Sequence, residues 1–141
     1  MASRLATIGY ENAALGDVIA RLRAASVARV VDVRAVAASR RAGFSKRVLA
    51  ASLMEAGIGY THLRALGTPK AGREAARRGR VAEMRAIYAD WLATPEAVDA
   101  FAALAALARA EPCALLCYEA DASGCHRRVL AERLDLPTVD L

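Results

Sequence analysis

Short apolar runs that end in polar or charged residues alternate along this chain with stretches whose apolar side chains recur at helical spacing. Residues 5–8 form the first run, closed by Gly9 and followed by a loop that carries Tyr10, Glu11 and Asn12. Leu15, Val18, Ile19 and Leu22 then recur at i, i+3, i+4 and i+7, which predicts a helix to about Ala25 over one face of a sheet. Residues 27–33 are rich in β-branched side chains and end in Asp32-Val33-Arg34, so a second strand delivers a carboxylate and a guanidinium at its carboxyl end. Strand, helix and strand in that order make a βαβ unit.

A loop over 35–44 contains Ser39, Arg40, Arg41 and Gly43, and a helix is predicted over 45–55 with Ser45 as N-cap and Val48, Leu49 and Leu53 inward. Residues 58–63 read as a third strand with Tyr60 and His62 on one face, His62 by itself being a packed residue. The stretch 64–80 holds Gly67, Pro69, Gly72 and Gly79 among its charges; it is long for a connection and is expected to be functional or mobile, poorly ordered around 73–79. Val81, Met84, Ile87, Tyr88 and Trp91 mark a helix with its aromatic rings in the core. Thr94 as N-cap and Pro95 at the first helical position start the next, whose buried face is Val98, Phe101, Leu104 and Ala105. Residues 114–117 form an uncharged central strand, a last helix starts near Cys125 with Val129, Leu130 and Leu134 on its apolar stripe, and 138–141 add a terminal strand after Pro137.

This succession predicts an α/β fold: a single compact domain over residues 1–141, with a mostly parallel sheet of four to five strands flanked by helices. A chain of 141 residues buries most of its apolar surface without needing disulfides or a structural metal. The hydrophobic fraction of 56% is raised by alanine, which argues for closely packed helices. The longest alanine-rich run, 100–108, lies between Asp99 and Arg109, far short of the ~20 apolar residues that span a bilayer, so the chain reads as soluble. Three cysteines, an odd number with no secretory signal ahead of the first strand, fit free thiols and a cytoplasmic location.

Charge changes the picture more than composition does. Residues 34–47 carry five basic side chains and no acid, and residues 64–80 carry six against Glu74 alone. Each segment is therefore +5, which leaves −5 elsewhere in a chain of net charge +5 and makes an anionic partner the natural expectation.

The candidate chemistry concentrates in residues 114–128, which read as strand, loop and helix start. Helical periodicity turns Cys125 and His126 toward the sheet, leaves Arg127 on the margin, and sends Arg128 outward with Glu132 as a local partner. Cys125 at a helix N-terminus is the best thiolate candidate, whereas Cys113 and Cys117 read as core. Cys113 and Cys117 lie roughly 13 Å apart along a strand, too far for one tetrahedral zinc. A set of Cys117, Glu119, Cys125 and His126 is geometrically open but has no finger or ribbon spacing, so no metal or other cofactor is assigned. Thr7-Ile8-Gly9-Tyr10 lacks the glycine series of a phosphate-binding or dinucleotide loop.

Taken together, Thr7-Ile8-Gly9-Tyr10, Asp32-Val33-Arg34 with Ser39-Arg40, Tyr60-Thr61-His62-Leu63 with Leu66-Gly67, and Leu116-Cys117-Tyr118-Glu119 with Cys125-His126-Arg127 resemble the bacterial domain-of-unknown-function family 488. The resemblance covers nearly the whole chain. It implies a cytoplasmic α/β domain whose polar motifs gather at one end of the sheet, and it carries over to Asp32, Arg34, Ser39, Arg40, Glu119, Cys125, His126 and Arg127. Similar sequences carry a proline between the Asp-Val-Arg and Ser-Arg pieces where this chain has Ala37.

The expected function is a pocket at the strand carboxyl ends that binds a phosphate-bearing ligand, nucleic acid or a nucleotide, with hydrolysis as the reaction it would support. Arg34, Arg40 and Arg127 would hold phosphate through paired hydrogen bonds, with Tyr10 and Ser39 beside them. Asp32 or Glu119 would act as base or arginine clamp, and His126 would move protons near neutral pH. Two readings from other classes stand beside this one. Asp-Val-Arg after a strand is also similar to a piece of rhodanese-like domains, which implies cysteine-dependent sulfur transfer or redox chemistry at Cys125. A non-enzymatic adaptor would use the basic loops to dock a partner protein.

Overall fold

Alternation along the strands sets the layers of the fold. The computed structural model describes residues 4–141, so residues 1–3 of the expected domain lie outside the described residues. Strands β1 (Leu5–Gly9), β2 (Arg29–Asp32), β3 (Gly59–His62), β4 (Cys113–Cys117) and β5 (Thr138–Asp140) form one sheet in the order β3-β2-β4-β1-β5, with every pair parallel. The helices are α1 (Leu15–Ala24), α2 (Lys46–Glu55), α3 (Lys70–Arg77), α4 (Val81–Leu92), α5 (Pro95–Ala110) and α6 (His126–Leu134). The α/β reading holds, and the sheet takes five strands because 138–140 adds itself to the edge beside β1.

Ala6, Ile8, Val30, Ala114 and Leu116 point to one face, where Val18 and Leu22 of α1 and Leu49 and Leu53 of α2 cover them. Leu5, Val31, Cys113, Leu115 and Cys117 point to the other, into a core closed by Met84 and Tyr88, Leu104, and Val129 and Leu130. Strand β4 is buried from end to end between these layers, which is why it carries no charge. Two valines correct the expected stripes: Val48 is 53% exposed and Val98 51%, each one residue out of phase with the inward Leu49 and Ala97.

From β1 the chain leaves through α1 toward β2, and from β4 it leaves through α6 toward the opposite edge. The connections diverge between β1 and β4, and ligands of open parallel sheets collect at such a point beyond the strand carboxyl ends. Gly9 lets the two strand ends close together, since a Cβ there would collide with the Glu119 carbonyl oxygen.

The stretch 64–80 corrects the expectation of a segment poorly ordered around 73–79. A 3-10 turn at Arg64–Leu66 leads into α3, whose buried face is made of Gly72 and Ala75. Tyr88 of α4 donates its hydroxyl to the Leu66 carbonyl, and Trp91 donates its indole N–H to that of Ala65 at 2.7 Å, which fixes the turn. No single helix among the described residues is long and apolar enough to cross a membrane.

Candidate functional site

A cavity of about 380 Å³ opens at the divergence of β1 and β4. Five of the residues singled out from the sequence line it: Tyr10, Arg34, Glu119, Cys125 and His126. Arg73 and Arg77, a turn apart on α3, form the opposing wall, and Cys117 and Tyr118 complete the side contributed by β4. A second concavity, about 580 Å³, shares Ala35, Val36, Thr68 and Arg73 with the first and runs on past Arg64, Trp91 and Glu96.

Asp32 lies behind this cavity. Its carboxylate is fully buried and is engaged on every side, by Arg34 Nε at 2.9 Å, Arg34 Nη2 at 2.7 Å, the Arg34 backbone N–H at 3.1 Å and the Tyr60 hydroxyl at 2.5 Å. Arg34 donates its remaining Nη1 to the Phe44 carbonyl at 2.7 Å and to Tyr10 Oη at 3.1 Å. Burial alone would push the Arg34 pKa down, but the hydrogen bonds and charge of Asp32 outweigh it and hold the guanidinium above the usual arginine range. Burial and the Asp32 carboxylate likewise raise the Tyr60 pKa above the ordinary phenol value. Asp32 is therefore placed as an arginine clamp. Tyr10, stacked on Phe44 with ring centroids 4.4 Å apart, completes the wall.

Cys117 faces the α6 side of the sheet and Cys125 is the N-cap of α6, so strand parity and helix entry aim both sulfurs at one point. They meet at bonding distance from Cα atoms 7.7 Å apart, and Cys113 is the one free cysteine, which corrects the expectation of three free thiols. Burial, with the Glu111 charge, pushes the Cys113 thiol up to about 11. Arg127 is buried rather than marginal; its Nη1 reaches Cys117 Sγ at 2.9 Å and the Glu119 carbonyl at 2.5 Å, and Nη2 reaches the Ala120 carbonyl at 3.2 Å. Burial pushes its pKa below the usual arginine value. Arg128 pairs with Asp140 at 2.6 Å instead of Glu132, whose carboxylate is held by Arg85 at 3.0 Å.

His126 Nε2 lies 2.7 Å from the Val33 carbonyl oxygen, and burial pushes its pKa down to about 4. A carbonyl only accepts, so the neutral ring keeps its proton on Nε2 and presents the Nδ1 lone pair 3.6 Å from Cys125 Sγ. The Cys117, Cys125 and His126 ligand atoms all lie within 4.8 Å of one another, and Glu119 Oε2 stands 3.5 Å from Cys117 Sγ. This is the cluster in the site that suits a soft metal ion.

Asp32 and Arg127 are buried and do not line the cavity, and two further candidates stay outside it. Ser39 is used in its own loop, where Ser39 Oγ accepts from the Arg41 N–H at 3.1 Å and the Ser39 N–H donates to Ser45 Oγ at 3.0 Å. Arg40 is exposed on that loop and does not line the cavity. The residues that sequence reasoning did not single out for the pocket are Arg73, Arg77 and Cys117. The i, i+4 spacing of the two arginines on a face beside Ala75 and Ala76 was the available signal for the first two.

The family model described as Domain of unknown function DUF488 matches residues 14–134 of this sequence. No curated protein and no solved structure matches the chain.

Proposed function

The chain belongs to the DUF488 family of unknown function, and from the geometry above we propose that its pocket binds a phosphate-bearing ligand, one nucleotide unit of a nucleic acid strand. One observation carries the reading. Arg73 and Arg77 face the cavity together, and Arg77 has no ion-pair partner among the described residues, whereas Arg34 and Arg127 are held inside the protein. Arg73 uses one Nη1 hydrogen bond on the Thr68 carbonyl at 2.8 Å, which steadies the side chain and leaves the rest of its fork for a ligand.

The phosphate role thus moves from Arg34, which lines the cavity with its fork engaged, and Arg127, which is buried behind it, to the arginines of α3. The cavity has the size of a small-molecule site. Tyr118, 45% exposed at its rim, offers a ring on which a base can stack. Continuity with the second concavity favours a strand over a free mononucleotide, since Arg64 continues the basic track. Of the two carboxylates, Glu119 lines the cavity and Asp32 does not, so a hydrolytic step would draw its base from Glu119.

Fluorescence anisotropy tests this with a labelled mononucleotide, a single-stranded and a double-stranded oligonucleotide over a salt series. The expected result is single-strand binding that weakens as salt rises. Absence of binding to all three probes at low salt would sink the reading.

A further inference from the structure

We propose that the reduced side chains of Cys117 and Cys125, together with His126 Nδ1, bind one zinc ion at the floor of the pocket, with the fourth coordination position open to the cavity. The proposal stands on the cluster itself and does not depend on the phosphate reading.

Three protein ligands drawn from Cys and His with one open position are a donor set of catalytic zinc sites. In a tetrahedral site with zinc–sulfur bonds near 2.3 Å, ligand atoms stand about 3.5–3.8 Å apart. The three donor atoms here lie within 4.8 Å of one another, with the two sulfurs at bonding distance, so assembling the site takes reduction of that pair and side-chain rotation that separates the sulfurs. The backbone spacing points the same way. The two Cα atoms are 7.7 Å apart, beyond the roughly 4.4–6.8 Å that disulfides usually span. That Cα separation leaves room, once the pair is reduced and the sulfurs swing apart, for one metal ion to hold both.

The surroundings are those of a ligating histidine. Its Nε2–H is anchored on the Val33 carbonyl at 2.7 Å, which fixes the tautomer and aims Nδ1 at the sulfurs. The ring also packs edge-on against Tyr88, with centroids 5.4 Å apart, so the imidazole is held from two directions. Arg127 Nη1, 2.9 Å from Cys117 Sγ, offsets charge on a thiolate at that position. Glu119 approaches Cys117 from the cavity side, 3.5 Å from its sulfur, next to the open position. Two electrons and two protons from a thiol or phosphine reductant first break the Cys117–Cys125 sulfur–sulfur bond and give two thiols; zinc binding then releases both thiol protons and leaves the sulfurs as thiolates, with no change of oxidation state at zinc.

The test uses the full chain kept in a phosphine reductant without chelator. Zinc is measured by inductively coupled plasma mass spectrometry, and cobalt(II) is titrated into the apoprotein as a spectroscopic stand-in. The expected result is about one zinc per chain and a thiolate-to-cobalt charge-transfer band. Cys125→Ser should lower zinc content at least about tenfold, and Cys113→Ser should leave it unchanged. Zinc near zero in the reduced wild-type protein, or equal zinc in wild type and Cys125→Ser, overturns the proposal. Should Cys125→Ser fail to fold by circular dichroism, the cobalt spectrum of the unmutated chain decides, and absence of the charge-transfer band overturns it. Oligonucleotide binding measured on the same samples tells a failure of the phosphate reading from a failure of this one.

Discussion

Arg34 folds back over Asp32, two residues before it, and closes a two-pronged ion pair with Nε–Oδ1 at 2.9 Å and Nη2–Oδ2 at 2.7 Å. The Asp-Val-Arg motif is thus a self-contained brace. It uses the end of β2 to bind the loop after it, through Phe44 and Tyr10, to the end of β1. The two charges most easily read from the sequence as ligand-binding shape the pocket by neutralising each other.

Because that pair is buried, removing one partner strands the other. Asp32→Ala should lower stability by about 3–5 kcal/mol in urea denaturation, the range for breaking a buried pair. The double variant Asp32→Ala with Arg34→Met should recover part of the loss, since no unpaired charge is left behind. A loss under about 1 kcal/mol for the single variant would show that the brace is dispensable.

The strands and most helices were legible because their burial follows ordinary periodicity. β4 announced itself through the uncharged run 114–117, one residue short of the observed strand, and α6 by Val129, Leu130 and Leu134. Helix α3 was not legible for a physical reason: its buried residues are Gly72 and Ala75, which contribute almost no hydrophobic signal, while its charges and flanking glycines resemble a loop. The site was half legible. Motif position placed Arg34, Glu119, Cys125 and His126 in the cavity. Which arginine would be internally engaged depends on backbone carbonyls such as those of Phe44, Glu119 and Ala120, and no sequence pattern encodes these. Cys117 was read as core, and it is buried, yet the last position of a strand is also the first of the pocket.

Gly9 should be the least tolerant glycine of the site. A methyl group there meets the Glu119 backbone, which cannot rotate away as a side chain would. Gly9→Ala should cost roughly 1–3 kcal/mol and displace the 118–121 loop. Gly124→Ala, where a Cβ meets open space, is the matched control and should be near neutral. Equal melting temperatures for the two variants would contradict the close approach.

Cys113 gives a pH dependence of defined sign. Burial raises its pKa in the folded chain to about 11, so the unfolded chain loses this proton first as pH rises. The stabilising contribution is complete below the ordinary thiol pKa and declines as pH climbs toward about 11. Urea stability measured at intervals across that alkaline range should fall more steeply for wild type than for Cys113→Ala. Parallel slopes would mean that the thiol is not desolvated in solution.

Arg73 and Arg77 offer the sharpest test of what the pocket does, because their removal disturbs little else. Arg77 is exposed and unpaired among the described residues, and Arg73 makes one hydrogen bond to the turn before its helix. If both touch phosphate, Arg73→Ala with Arg77→Ala should weaken single-strand binding and flatten the dependence of log affinity on log salt by roughly 1–2 units, as expected for two lost phosphate contacts. Arg40→Ala with Arg47→Ala removes equal charge from exposed positions outside the cavity, so it should lower affinity only through the general field and leave the slope nearly unchanged. Tyr118→Ala should weaken single strands by about 1–3 kcal/mol if a base stacks on the ring, with little effect on duplex, whose bases are already stacked. The decisive comparison is between the α3 double variant and the charge-matched Arg40→Ala, Arg47→Ala variant measured in the same salt series. Indistinguishable slopes would mean that any binding reads net charge alone and that the cavity is not where phosphate sits.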